Sequence, residues 1–132
     1  MSPIANMLNQ IKNAQLRGYP EVVLPFSNIK FEIANILKNN NFVSEVEKKK
    51  KKTKKSEFNV LAIGLKYNDG VGAISDIKLV SKPSRRMYSG KNDIHKIKNG
   101  YGISVMSTSR GIMSGDDAKK VGVGGEMLFE VW

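Results

Sequence analysis

The sequence predicts an α+β protein, with an N-terminal two-layer α/β unit (helix-strand-helix-strand-strand) packed on a strand-rich C-terminal unit that contains one short helix. Two early segments repeat apolar residues at helical spacing, and the later segments are short, rich in β-branched residues and separated by turn residues. Pro83 lies in a polar stretch between the two groups of elements. From the order of the elements we place the N-terminal unit at residues 1–75 and the C-terminal unit at residues 76–132, which includes Pro83.

Two helices are predicted in the N-terminal unit, with a short strand, Glu21–Pro25, between them. Ser2 is placed to cap the first helix and Ser27 to cap the second, because serine at a helix start accepts a hydrogen bond from a free backbone N–H. The second helix is predicted to end at Asn39–Asn41. Its apolar face comprises residues that recur at helical spacing: Ile29, Ile33, Ile36 and Leu37.

Strands account for most of the remaining prediction. Phe58–Tyr67 and Ala73–Val80 flank Asn68-Asp69-Gly70, a combination typical of tight turns. Farther along, a helix over Ser114–Lys120 starts with acidic and ends with basic residues, as the helix dipole favours, and a strand over Met127–Val131 closes the chain. Shorter strands are predicted at residues 86–88, 95–98 and 102–107.

Positive charge indicates the class of partner. The chain has 132 residues and a formal net charge of +10. Residues 1–47 have four basic and four acidic side chains, residues 48–76 have eight and three, and residues 77–132 have ten and five. An excess of this size favours a polyanion, either nucleic acid or an anionic membrane surface. The neutral N-terminal part must therefore serve a purpose other than attracting anions.

A run of seven lysines occupies residues 48–55 and is interrupted only by Thr53. Because seven like charges repel one another, we expect a mobile, solvated loop here. Two interpretations stay open. The loop is either a hairpin tip that promotes solubility or an arm that binds phosphates without sequence preference.

Three C-terminal segments carry groups suited to RNA. Ser81–Tyr88 combines three cations with an aromatic ring that can stack on a base, although it also fits a charged turn between domains. Ser107–Gly111 places three consecutive hydroxyls after an apolar strand, where a polar strand end is the simpler interpretation. Gly122–Glu126 permits both a tight helix-to-strand turn and a close approach of another backbone, with Glu126 able to accept from a base amino group.

Nothing in the sequence favours catalysis or a metal site. Cysteine is absent and His95 is the single histidine, so neither a disulfide nor a cluster of soft metal ligands is available. No serine has an evident partner base, and the glycines near residue 124 lack the Lys-Ser or Lys-Thr of a nucleotide-binding loop. We expect no enzyme activity, no cofactor, no membrane association and no signal peptide.

These motifs, in this order, resemble the bacterial-type family of small-subunit ribosomal protein eight. The similarity runs nearly end to end. Its most specific part is a series of three C-terminal motifs: Asn99–Ile103, Ser107–Gly111 and Gly122–Glu126. Two N-terminal segments, Pro3–Ala14 and Leu24–Lys30, are also similar. The chain departs from the family at Ser84, where glycine is usual, and at Ser114, where the helix usually starts with threonine.

The resemblance implies a structural protein of the small ribosomal subunit that binds the central domain of its rRNA and helps to assemble the 30S platform. It implies neighbouring ribosomal proteins as partners, including protein five, and a place on cytoplasmic ribosomes, or organellar ribosomes of bacterial type. The alternative is a free regulator that binds the mRNA of its own operon. Charges, hydroxyls and resemblance together predict these RNA-binding residues: Lys30, Lys82, Arg85, Arg86, Tyr88, Ser107, Thr108, Ser109, Arg110, Gly124, Gly125 and Glu126.

Overall fold

The computed structural model describes residues 3–82, 84–94, 97 and 101–132, and its mixture of helices and antiparallel strands confirms the predicted α+β class. The helices are α1 (Pro3–Leu16), α2 (Asn28–Asn39) and α3 (Gly115–Val121). The strands are β1 (Glu21–Pro25), β2 (Val43–Lys52), β3 (Glu57–Leu65), β4 (Tyr67–Asn68), β5 (Val71–Gly72), β6 (Ile77–Leu79), β7 (Tyr88–Ser89), β8 (Ile103–Thr108), β9 (Gly111–Ser114) and β10 (Gly125–Val131). The predicted cap Ser2, Pro83, and most of the predicted strand at 95–98 lie outside the described residues.

The chain divides into two compact units. The N-terminal unit contains Asn6–Ala73, and the C-terminal unit contains Ile74–Trp132 together with residues 1–5. This division falls two residues before the boundary that we placed after residue 75. It also assigns the start of α1 to the C-terminal unit, which the sequence did not suggest.

The N-terminal unit is built on a three-stranded antiparallel sheet in the order β1-β3-β2. Leu61 and Ile63 of β3 are fully buried, as are Ile11 of α1 and Ile33 of α2. The Ser27 hydroxyl accepts a hydrogen bond from the backbone N–H of Lys30 at 3.2 Å, as the predicted cap requires. The helices thus supply apolar side chains to the core of this unit, and the α2 boundaries follow the sequence pattern closely.

Two predictions for the N-terminal unit are wrong. Ile29 is 51% exposed although it precedes the buried Ile33 by one helical turn, so the apolar stripe is covered only from Ile33 onward. The lysine-rich loop expected over residues 48–55 is instead mostly strand: Lys48–Lys52 belong to β2 and pair with Glu57–Leu61. Backbone pairing is compatible with the charge, because every one of these lysines remains exposed to solvent.

The turn predicted at Asn68-Asp69-Gly70 is confirmed. Asp69 and Gly70 have φ angles of 53° and 80°, the left-handed pair that a two-residue hairpin turn needs, and they join β4 to β5. The strand predicted over Ala73–Val80 is shorter, because β6 contains only Ile77–Leu79. The preceding Ser75 and Asp76 donate their backbone N–H groups to the Trp132 carbonyl oxygen at 2.6 and 3.0 Å.

The C-terminal unit has a five-stranded antiparallel sheet in the order β6-β10-β8-β9, and β7 also pairs with β10. The sequence missed β9, a strand of four residues that returns directly after the Ser109-Arg110 turn. The predicted helix is confirmed as α3, with Ser114 as its N-terminal cap and Gly122 at φ 83° as its left-handed C-terminal cap.

One face of the C-terminal sheet packs against α3. Met106 of β8, Met127 of β10 and Ala118 of α3 are buried there with Ile94. Met106 and Met127 are directly opposite one another in the ladder, so their side chains share this face. The residues next to them, Ser107 and Glu126, therefore point to the opposite face of the sheet.

Candidate nucleic-acid interface

A row of four side chains crosses the C-terminal sheet on the face opposite α3. Glu126 of β10 is paired with Tyr88 of β7 on one side and with Ser107 of β8 on the other, and Ser107 is paired with Ile112 of β9. Directly opposed residues of antiparallel strands project to the same face. We call Tyr88, Glu126, Ser107 and Ile112 the polar row, since its centre is a carboxylate beside a hydroxyl.

Among the residues that the structure describes, one cation contacts the carboxylate at the centre of the polar row. Arg86 Nη1 donates to Glu126 Oε2 at 3.3 Å. The Glu126 side chain is 19% exposed, and that of Arg86 is 53% exposed. A carboxylate has about four acceptor positions, so one arginine contact leaves most of them for a ligand. Tyr88 is 72% exposed, and its ring is therefore open to stacking.

The three consecutive hydroxyls have different surroundings. Thr108 Oγ1 donates to the Gly111 carbonyl oxygen at 2.8 Å and accepts from the Arg110 N–H at 3.2 Å. This side chain thus closes the turn between β8 and β9. In the described part of the chain, the hydroxyls of Ser107 and Ser109 make no such bond. Two of the three predicted hydroxyls are therefore available to a ligand, and the third shapes the turn that presents Ser109 and Arg110.

Gly124 and Gly125 are required by the protein's own packing. A Cβ atom at position 125 would overlap the Ser107 carbonyl oxygen, and one at position 124 would overlap the Ser89 carbonyl oxygen. We predicted that these glycines allow the close approach of another backbone. In the structure the approaching backbones are the neighbouring strands β8 and β7, so the glycines set the spacing on either side of Glu126.

Two of the predicted phosphate-binding residues lie away from the polar row. Lys82 and Arg85 exchange backbone hydrogen bonds at 2.9 Å, and both line an open pocket of about 340 Å³ with Lys78 and Glu130. Arg85 lines this pocket, whereas its neighbour Arg86 contacts Glu126 of the polar row, so the two arginines serve different places. Lys30, a further predicted residue, belongs to the N-terminal unit, where its Nζ lies 3.5 Å from the Pro25 carbonyl oxygen.

The sequence did not single out two residues that the structure adds. Ile112 completes the polar row. The apolar residues that follow the Ser109-Arg110 turn could have indicated strand β9, but they were assigned to no element. Lys78 joins the cationic pocket through its pairing with Glu130. No local pattern indicates this second contact, because the two residues are far apart in the sequence.

Neither a metal centre nor a membrane helix is present in the described ranges. No group of three or more His, Asp or Glu side chains among these residues is placed to hold a metal ion. No helix found there has the length and apolar character needed to cross a membrane.

Comparison with known proteins supports the family that the order of the motifs indicated. The model of the family described as ribosomal protein S8 matches residues 2–132. Small ribosomal subunit protein uS8 of Nitratidesulfovibrio vulgaris (strain DSM 19637 / Miyazaki F) is 45% identical over 130 residues, covering 98% of this chain and 97% of the relative. The uS8 protein of Coxiella burnetii (strain Dugway 5J108-111) is 42% identical over 129 residues, covering 98% and 96%. With a match over nearly its whole length, the chain belongs to the ribosomal protein S8 family.

Proposed function

We propose that the protein binds a helix of the central domain of small-subunit rRNA through the polar row and the adjoining Ser109-Arg110 turn, and that this contact helps to assemble the platform of the subunit. Membership of the family makes the protein a structural component of the small ribosomal subunit and not an enzyme. The finer assignment of domain and residues rests on the geometry of the C-terminal sheet.

The observation that carries the proposal is the position of Glu126. Its carboxylate is mostly sheltered from water, is held by Arg86, and lies between a free hydroxyl and an exposed aromatic ring. A sheltered carboxylate can accept from a base amino group or a ribose 2′-hydroxyl, and the tyrosine can stack on an unpaired base. These groups recognise the shape of a folded RNA, whereas a plain basic patch would recognise only its charge.

Cations around the row complete the proposed interface. Arg110 is exposed in the turn beside Ser109, and Arg86 remains half exposed although it is paired with Glu126. Arginine can contact a phosphate through two N–H groups at once. Lys82 and Arg85 form a separate cationic pocket on the opposite face, where they can hold a more distant phosphate of the same RNA.

A matched pair of substitutions on one strand tests the proposal. Glu126→Gln removes the charge from the polar row, whereas Glu130→Gln removes the same charge from the pocket on the other face of β10. We expect Glu126→Gln to weaken binding to a central-domain rRNA fragment by about 1–3 kcal/mol, because its partners lose a charged acceptor. Glu130→Gln should change the affinity much less. Equal losses in the two variants, measured by filter binding, would show that the row does not recognise the RNA.

Two further partners are part of the proposal. An mRNA of the protein's own operon with a similar fold would occupy the same polar row, so the rRNA fragment should displace it in a competition assay. Neighbouring small-subunit proteins, protein five among them, would contact exposed apolar side chains. Leu16 and Ile29 of the N-terminal unit are 81% and 51% exposed and supply such contacts.

A further inference from the structure

We propose that the N-terminal unit contains a second RNA-binding site, which takes an unpaired RNA strand with a base stacked on Phe58. The site is the hairpin of residues 48–61, which we call the lysine ribbon. It comprises the ends of β2 and β3 that pair around the turn at residues 53–56. The proposal concerns residues of the other unit and does not depend on the function proposed for the polar row.

The ribbon has two faces of different character. Lys48 pairs with Leu61, which is fully buried, so this face continues into the core of the unit. Lys49 pairs with Val60 and Lys51 pairs with Phe58, so these side chains share the other face. On that face Phe58 is 42% exposed. An open aromatic ring beside two lysines is therefore built into the second face.

The charge of the ribbon increases towards its tip. Lys49 Nζ lies 3.4 Å from Glu47 at the base of the ribbon, and Lys50 Nζ lies 3.9 Å from Glu57, which pairs with Lys52 beside the turn. Lys48 Nζ lies 4.6 Å from the centre of the Phe26 ring. The remaining lysines form no ion pair with any residue of the described ranges: Lys51, Lys52, Lys54 and Lys55. Four cations without acidic partners are thus concentrated at the end of the hairpin.

Regular strand geometry converts these lysines into an ordered binding surface. Alternate residues of a strand lie about 6.6–6.8 Å apart on one face, so Lys49 and Lys51 form a spaced pair of cations. The turn is held in place because Thr53 Oγ1 donates to the Ser56 carbonyl oxygen at 3.1 Å and accepts from the Ser56 N–H at 3.2 Å. A loop of the same composition would present the same charge without this spacing.

The combination of cations and ring favours unpaired RNA over other polyanions. Lysines contact the phosphates of any nucleic acid, whereas an aromatic ring gains a base only where the base is not enclosed in a duplex. An acidic protein surface would match the charge, but it gains nothing specific from an exposed phenylalanine. The site therefore fits a single-stranded segment whose phosphates lie along Lys49 and Lys51 and whose base covers Phe58.

Salt dependence tests the charge gradient in the full-length protein. The probes are an unstructured uridine oligonucleotide and an RNA duplex of equal length. Replacing Lys51 and Lys54 with glutamine should reduce the slope of log affinity against log salt for the oligonucleotide by about 1.4, at about 0.7 for each lost contact with a single strand. Replacing Lys38 and Lys50, which lie 3.6 Å from Glu45 and 3.9 Å from Glu57 and are not assigned to a phosphate, should reduce it by less than half as much. Equal reductions, or none in the tip variant, would overturn the assignment.

A second pair of variants tests the stacked base. Phe58→Leu should weaken oligonucleotide binding about tenfold and leave duplex binding unchanged, because stacking on an aromatic ring is lost. Val23→Ala is the control, since Val23 lies on the same face of the sheet and is 49% exposed. If both probes weaken equally, or if neither does, the ring does not hold a base. Repeating the series with Glu126→Gln separates this outcome from a failure of the polar row, because the effects of the ribbon variants should persist there.

Discussion

Gly125 determines how closely β10 and β8 lie beside each other. An added Cβ would overlap the Ser107 carbonyl oxygen and lie 3.1 Å from the Thr108 Cα, both part of the neighbouring strand. Backbone atoms in a paired ladder cannot move aside as the end of a flexible side chain can. The distance between the Glu126 carboxylate and the Ser107 hydroxyl therefore depends on the absence of a methyl group one residue away.

Gly125→Ala should lower the free energy of unfolding by about 1–3 kcal/mol, since it overpacks a ladder of the sheet. It should also weaken rRNA binding, because the polar row is spread. Gly90→Ala is the control, as its nearest contact would be the Asp93 side chain at 3.3 Å. Urea denaturation of the two variants measures the difference. A Gly125→Ala protein as stable as the Gly90→Ala protein would contradict the crowding argument.

At the scale of elements, α3 shows how a helix of seven residues is kept in place. Ser114 is both the last residue of β9 and the cap of α3, where its Oγ accepts from the Asp117 N–H at 3.2 Å. Ala118 is fully buried with Met106 and Met127. So short a helix gains little from propensity alone, and its caps and packing must supply the stability. The cap thus supports the face of the sheet behind the polar row.

Ser114→Ala should cost about 0.5–2 kcal/mol of stability, the usual effect of losing an N-terminal cap. Ser27→Ala should cost a similar amount, because Ser27 makes the equivalent bond at the start of α2. Ser75, which is exposed and caps neither helix, is the matched control, and its replacement by alanine should stay within about 0.5 kcal/mol. Thermal denaturation followed by circular dichroism distinguishes these cases. Equal stability of all three variants would show that the caps are dispensable.

In the whole molecule, the densest positive charge and the groups proposed to recognise RNA lie in different segments of the chain. The first 47 residues are neutral, the lysine ribbon holds seven cations, and the C-terminal segment holds +5 around a row whose centre is a carboxylate. Cations raise affinity for all RNA, whereas positioned hydrogen-bonding groups distinguish one RNA from another. We infer that the ribbon increases binding strength and the polar row supplies selectivity.

Replacing all four tip lysines, Lys51, Lys52, Lys54 and Lys55, with glutamine should weaken binding to the central-domain fragment and to an unrelated RNA by a similar factor. The ratio of the two affinities should therefore remain unchanged. Glu126→Gln should instead lower this ratio. Titrations of both RNAs at two salt concentrations measure the effect. A ratio that falls in the tip variant would contradict the division of tasks between ribbon and row.

The sequence alone was sufficient to predict features that depend on a few neighbouring residues. The Ser27 cap, the Asp69-Gly70 turn and the helix ending at Gly122 were predicted because capping and left-handed turns are local. The order of the C-terminal motifs also indicated the family, since it is a property of the chain and needs no geometry.

The positions of the site residues relative to one another depend on strand pairing, which the sequence did not reveal. Register puts Glu126 between Tyr88 and Ser107, and the fold brings Arg86 to Glu126 while Arg85 lines a separate pocket. Pairing with β3 likewise makes a strand of lysines that repulsion alone would keep apart. These features join residues distant in sequence, and a shift of one position would turn each side chain to the other face. The chemistry of the C-terminal hydroxyl and glycine motifs was therefore visible in the sequence, whereas their arrangement into a site required the folded sheet.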